Sequence, residues 1–159
     1  MNITVKRLIN GDTEPSFLLT YPRFINNELM SNGVMLDEGQ SSAETPVNEM
    51  LRETQDNPAI PIWANDDSGL RIDLHAADVK DASAIWLKAR DSAMIWADML
   101  ESMGVHQENI NYLLEPFRMV KTIVSAAQVV MLLDQFNRVA TQTREARELM
   151  KELENAVKN

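Results

Sequence analysis

A chain of 159 residues has the length of one domain with one sizeable core, and its 45% hydrophobic and 25% charged residues are those of a folded globular protein. It has no cysteine, which excludes disulfides, thiolate metal sites and a cysteine nucleophile. The net charge of −9, from 15 basic and 24 acidic residues, disfavours nucleic acid and anionic lipid as partners, because no Lys/Arg cluster offsets it.

Such a surface either serves solubility alone or suits a protein partner with a basic face. No apolar run is long enough to span a bilayer. Met1 to Asn10 lacks the apolar centre of a signal peptide, so the expected location is the cytoplasm.

In chain order, Met1 to Arg7 alternates, with Ile3, Val5 and then Leu8 among polar neighbours, and predicts a strand. Asn10-Gly11-Asp12 is a turn signal, and Ser16 to Thr20 is the second strand of an opening hairpin. After Pro22, the stretch Phe24 to Ser31 has helical spacing, with Phe24, Ile25, Leu29 and Met30 on one side. Residues 33–45 have no apolar period and read as an exposed acidic loop. Pro46 suits the first turn of a helix capped by Thr45, whose buried face is Val47, Met50 and Leu51.

Asn57 to Trp63 is a proline-rigid extended segment, and Ala64 to Gly69 reads as a polar loop. The longest predicted helix covers about residues 77–103, with Ile85, Ala89, Trp96, Leu100 and Met103 at helical spacing and Gly104 as its stop. A short helix near Gln107 to Leu114 precedes Pro116. Val120 to Val124 is either a buried strand or the start of a helix. Ala126 to Phe136 is apolar on most sides and predicts a central helix, buried in the core or in an interface between copies. Thr141 to Val157 is the closing helix, capped by Thr141 or Thr143, with charges spaced for a solvated face.

Local patterns carry little chemistry. There is no Gly-rich phosphate loop among the five glycines. His75 and His106 lack metal-ligand spacing and read as surface or cap residues, so no metal is expected. The carboxylate pairs Asp66-Asp67 and Asp37-Glu38 lie in polar loops, whereas an acid/base pair needs opposed environments. The three Trp, ten Met and four Phe are assigned mainly to the core. On these grounds alone the chain is an α+β domain.

Five blocks in order add a resemblance. They are Tyr21-Pro22-Arg23-Phe24-Ile25 followed by Glu28-Leu29-Met30; Asn57-Pro58-Ala59-Ile60-Pro61; Ala84 to Ala93; Gly104-Val105-His106 leading to Asn111-Tyr112-Leu113-Leu114-Glu115-Pro116-Phe117; and Thr122 to Ala126. Together they resemble the flavin-dependent thymidylate synthase (ThyX) family, in the compact form of some bacteria and phages. The resemblance covers roughly residues 16–150 of a single domain spanning 1–159. It implies an antiparallel sheet with an N-terminal hairpin packed against several helices. It also implies reductive methylation of dUMP with FAD and a methylene-folate, in a homotetramer with shared active sites.

Departures from the family pattern fall where that family binds its ligands. Asn32, Gly33 and Leu36 stand where it has His, Arg and Ser, and Ala43 stands where it has Arg. Val129, Met131 and Phe136 replace its Trp, Asn and Arg, and Arg138 takes the place of a His. Losing one charge-assisted phosphate contact costs on the order of 2 kcal/mol, and losing several would abolish micromolar binding.

The expectation is therefore a non-catalytic relative without FAD, an oligomer that regulates or inhibits another macromolecule. Asp37, Glu38 and Glu44 would form its partner-contact loop, and a phage-encoded version would work in the host cytoplasm. Two alternatives stay open. One is a small-molecule or nucleotide-binding protein that reuses a cleft lined by Arg23, Ser41, Ser42, Arg118 and Gln142. The other is a divergent active enzyme making dTMP from dUMP.

Overall fold

The computed structural model describes residues 3–8, 14–31, 43–67, 70–73, 75–138 and 143–158. The predicted hairpin is present as β1 (Thr4–Leu8) and β2 (Ser16–Pro22), antiparallel with Val5 opposite Leu19; the Asn10-Gly11-Asp12 turn lies outside the described residues. β5 (Met119–Ser125) pairs antiparallel with the other edge of β2, giving the order β1-β2-β5. Phe17, Leu19 and Tyr21 of β2 alternate with half-buried Ser16, Leu18 and Thr20, so one sheet face is packed and the other wetter. Val120, Thr122 and Val124 extend the packed face, which settles this segment as a strand.

Three helices cover that face: α1 (Asn26–Ser31), α5 (Ala126–Phe136) and α6 (Arg144–Lys158). α1 is preceded by a 3-10 turn, Arg23–Ile25. Of the four residues assigned to one apolar side, Ile25 and Leu29 are buried while Phe24 and Met30 are exposed. β5 becomes α5 at Ser125, whose hydroxyl accepts from Gln128 N while the Gln128 side chain accepts from Ser125 N. This reciprocal cap satisfies two backbone donors where the strand ends.

Thr143 is the cap of α6, its hydroxyl accepting from Ala146 N at 3.2 Å. The Glu28 carboxylate in turn accepts from Thr143 N at 3.0 Å and from its hydroxyl at 2.6 Å, tying α6 to α1. α6 has the solvated face expected of it, with Arg147, Lys151, Glu154 and Lys158 exposed, and on its other side buries Glu145, Ala146, Leu149, Met150 and Leu153 at three- and four-residue spacing. α5 departs from the central helix expected of it, because Val130 and Met131 are exposed.

A second, smaller core joins α2 (Val47–Asp56), α3 (Ala76–Ser102) and α4 (Gln107–Asn111) through Val47, Met50, Ala97, Ile110 and Leu114. Thr45 does not cap α2. Pro46 holds that position without a side-chain bond, while Thr45 is buried and its carbonyl accepts from Asn111 Nδ2 at 2.8 Å. Leu51 is half-buried, and Thr54 completes the buried face. His106 caps α4, its Nδ1 accepting from Glu108 N at 3.4 Å, and His75 is the exposed N-cap residue of α3.

Gly104 ends α3 with φ 77, a left-handed conformation that glycine adopts without steric cost. In place of the polar loop at Ala64 to Gly69, β3 (Ala64–Asp67) and β4 (Leu70–Asp73) form an antiparallel pair. Backbone pairing between strands so close in the chain needs little loop closure. Among the described residues no helix is long and apolar enough to cross a membrane.

Candidate functional site

The end of β2 and the start of β5 lie side by side, with Pro22 opposite Met119 and Arg23 N donating to Arg118 O at 2.8 Å. A proline shapes the chain on each side of this seam. Pro22 leads into the turn that carries Arg23, and Pro116 lies in the first positions of a second 3-10 turn, Glu115–Phe117, where its missing N–H is not needed. The two arginines, 95 residues apart in sequence by subtraction of 23 from 118, are thereby brought together.

Each guanidinium faces a carboxylate. Arg23 Nε lies 3.7 Å from Glu115 Oε2, and Arg118 Nε lies 3.7 Å from Glu53 Oε2. Arg118 is buried and also reaches Thr45 Oγ1 at 3.5 Å through Nη2. Burying a guanidinium is costly unless opposite charge and acceptors surround it, which Glu53 and Thr45 provide.

Beside this pair stands an aromatic group centred on Trp86. Its ring centroid is 4.9 Å from that of Phe117, 6.0 Å from that of Trp63 and 6.5 Å from that of Phe24, the last two edge-on. Trp86 Nε1 donates to Ala59 O at 2.8 Å, and Trp63 Nε1 donates to Ser83 Oγ at 2.8 Å. Ala59 N donates to Phe117 O at 2.8 Å, and Ile62 N donates to the buried Glu145 carboxylate at 2.6 Å. The extended segment Asn57 to Trp63 is thus a strap bonded to α3, to the turn before β5 and to α6.

Of the cleft residues expected from sequence, the fold joins Arg23 and Arg118; Ser41, Ser42 and Gln142 lie outside the described residues. Asn32, Gly33, Leu36, Asp37 and Glu38 lie outside them as well, while Glu44 is exposed. Ala43 sits in the turn before α2, its carbonyl accepting from Gln107 Nε2 at 2.8 Å. Val129 and Phe136 are core residues, Met131 is exposed on another side of α5, and exposed Arg138 pairs with Asp134 at 2.8 Å.

Sequence reasoning missed Glu53, Glu115 and Thr45 as partners of the arginines, and Trp86 as the centre of the aromatic group. Glu115-Pro116-Phe117-Arg118 was the available signal, a proline turn delivering a carboxylate, an aromatic ring and a cation together. Among the described residues no group of three or more His, Asp or Glu could hold a metal ion.

The chain matches no protein-family model and no curated protein. Among solved structures it is similar to the crystal structure of a UMP/dUMP methylase, PolB from Streptomyces cacaoi, bound with 5-Br UMP. The TM-score is 0.60 at 15% identity, over 89% of this chain and 66% of the methylase, so the chain spans a little under two thirds of that protein's length. The α+β, ThyX-like fold is therefore in place.

The expectation of a non-enzyme is corrected by the same finding, because the protein that shares this fold is an enzyme. Val129 and Phe136 fill the core, so their apolar identity follows from packing and carries no information about a binding cleft.

Proposed function

We propose that this chain is an enzyme acting on a pyrimidine nucleotide of the UMP or dUMP type. The observation that supports this reading is the fold shared with the UMP/dUMP methylase over 89% of the chain. The seam at Arg23 and Arg118 supplies the chemistry a nucleotide needs. The two residues are joined by their backbones, and a guanidinium from either matches a phosphate dianion through charge and fork geometry. Phe24, the exposed member of the aromatic group, follows Arg23 directly and offers an apolar face to a pyrimidine ring.

Glu53 and Glu115 compete with the phosphate for the same cations. Nucleotide binding then requires those carboxylates to swing aside, and their partial exposure leaves room to do so. No step is assigned to a flavin.

Calorimetric titration with UMP and dUMP tests the reading. A Kd on the order of 10 to 100 µM is expected for one of them. Arg118→Lys keeps the charge and loses the fork, and should weaken binding about tenfold. Glu53→Gln removes a competitor and should tighten it. Absence of heat with both nucleotides, or indifference to both substitutions, contradicts the assignment.

A further inference from the structure

The turn that leads into α2 is laced to α4 by two side chains. Gln107 Nε2 donates to Ala43 O and Asn111 Nδ2 donates to Thr45 O, both at 2.8 Å. Residues four apart on a helix share one side of it, so both bonds are made from the same side of α4. Asn111 is 0% exposed and Thr45 1%. Breaking a hydrogen bond so deeply buried strands both groups away from water, and Thr45 is therefore held in place. Its hydroxyl meets Arg118 Nη2 at 3.5 Å, on the same guanidinium whose Nε faces Glu53. The two partners of Arg118 differ in freedom. The Glu53 side chain is 41% exposed and can turn out into water, whereas Thr45 cannot.

We infer that Thr45 is a positioning residue for Arg118, the fixed acceptor that keeps the guanidinium aimed while a nucleotide phosphate replaces Glu53. This rests on the assignment of the seam to a nucleotide phosphate. A guanidinium on a long flexible stem that gave up its carboxylate with no second contact would lose its orientation too, and restoring that order on binding costs affinity. Thr45 takes one of the five N–H donors of the guanidinium and leaves the others, Nε included, to the incoming anion. Gln107 and Asn111 act one step further back, by holding the backbone that carries Thr45.

Calorimetric titration with UMP and dUMP tests the inference. Thr45→Val keeps the shape and removes the hydroxyl, and should weaken Kd about fivefold at unchanged stoichiometry. A role confined to folding would instead lower the fraction of competent protein, and with it the stoichiometry, at unchanged Kd. In an Arg118→Lys background the same substitution should change Kd by less than about twofold, because no fork remains to aim. Should Thr45→Val not fold, Thr45→Ser and Thr45→Ala take its place: they differ only by the hydroxyl, and the serine variant should bind about fivefold tighter. If the wild-type protein binds neither nucleotide, the assignment of the seam fails and the inference with it. If the wild-type protein binds and the hydroxyl makes no difference to Kd, the inference alone is overturned, as it is by an equal loss in the Arg118→Lys background.

Discussion

Around β2 the chain closes on itself. Phe17, Leu19 and Tyr21 are covered by α5 and α6, and the cluster runs on through Ile25, Leu29, Leu132, Leu149 and Leu153. Around α3 it closes less fully: five buried residues hold three helices together, and although Ser83 and Trp86 meet the strap, the side of the longest helix that carries Ile85, Trp96 and Met103 stays exposed. The two regions use their apolar residues differently. In the first, the apolar residues on the packed face have facing partners within the chain, while Ile123, Val130 and Met131 stay exposed outside it. In the second, one stripe of α3 is used inward and another is left over. Apolar content alone therefore does not say where a core lies, and the strap from Asn57 to Trp63 is what joins the two regions.

Substitutions can sharpen that contrast. Leu149→Ala in the closed core should have the largest effect, lowering unfolding stability by about 3 kcal/mol in urea titrations. Ile110→Ala in the smaller core should lower it by about 2 kcal/mol, and a loss equal to that of Leu149→Ala would break the contrast. Hydrogen exchange on the same samples should show α3 amides opening at lower free energy than those of α5 and α6.

Glu145→Ala removes the acceptor of Ile62 N and should cost about 2 kcal/mol, with the strap freed first. Thr143→Ala removes the α6 cap and should cost about 1 kcal/mol.

The smallest effect concerns Tyr112. Its hydrogen bond to Glu108, followed by the charge of that carboxylate, raises the phenol above its ordinary pKa of 10.0. A raised acid pKa stabilises the fold below the unfolded value, and that contribution disappears as pH rises through the folded value. Ultraviolet titration should place Tyr112 later than in a Glu108→Gln variant.

Much of the fold was legible in the chain. The alternation at Met1 to Arg7 and Gly104 at the end of α3 each announce an element through local chemistry. The β3–β4 pair was not read from the chain, because β3 is polar and the alternation of β4, Leu70 and Ile72, is only four residues long. Nor was the outward direction of Ile85, Trp96 and Met103: helical spacing identifies a stripe, and only its partner decides whether the stripe is buried.

Of the candidate site, Arg23 and Arg118 were singled out from sequence and meet in the fold. Their carboxylate partners were not, because Glu53 comes from α2, far away in the chain. The non-enzyme reading failed for a related reason. It took Val129 and Phe136 as lost ligand contacts, when the facing residues of the core determine what they must be.

Crystals of this protein soaked with 5-Br UMP would test the central claim most directly, because the bromine marks the base by anomalous scattering. The account predicts a bromine peak beside Phe24 and a phosphate within hydrogen-bond distance of Arg23 or Arg118, with Glu53 or Glu115 displaced. A nucleotide bound elsewhere, or no bromine peak at saturating ligand, would contradict it.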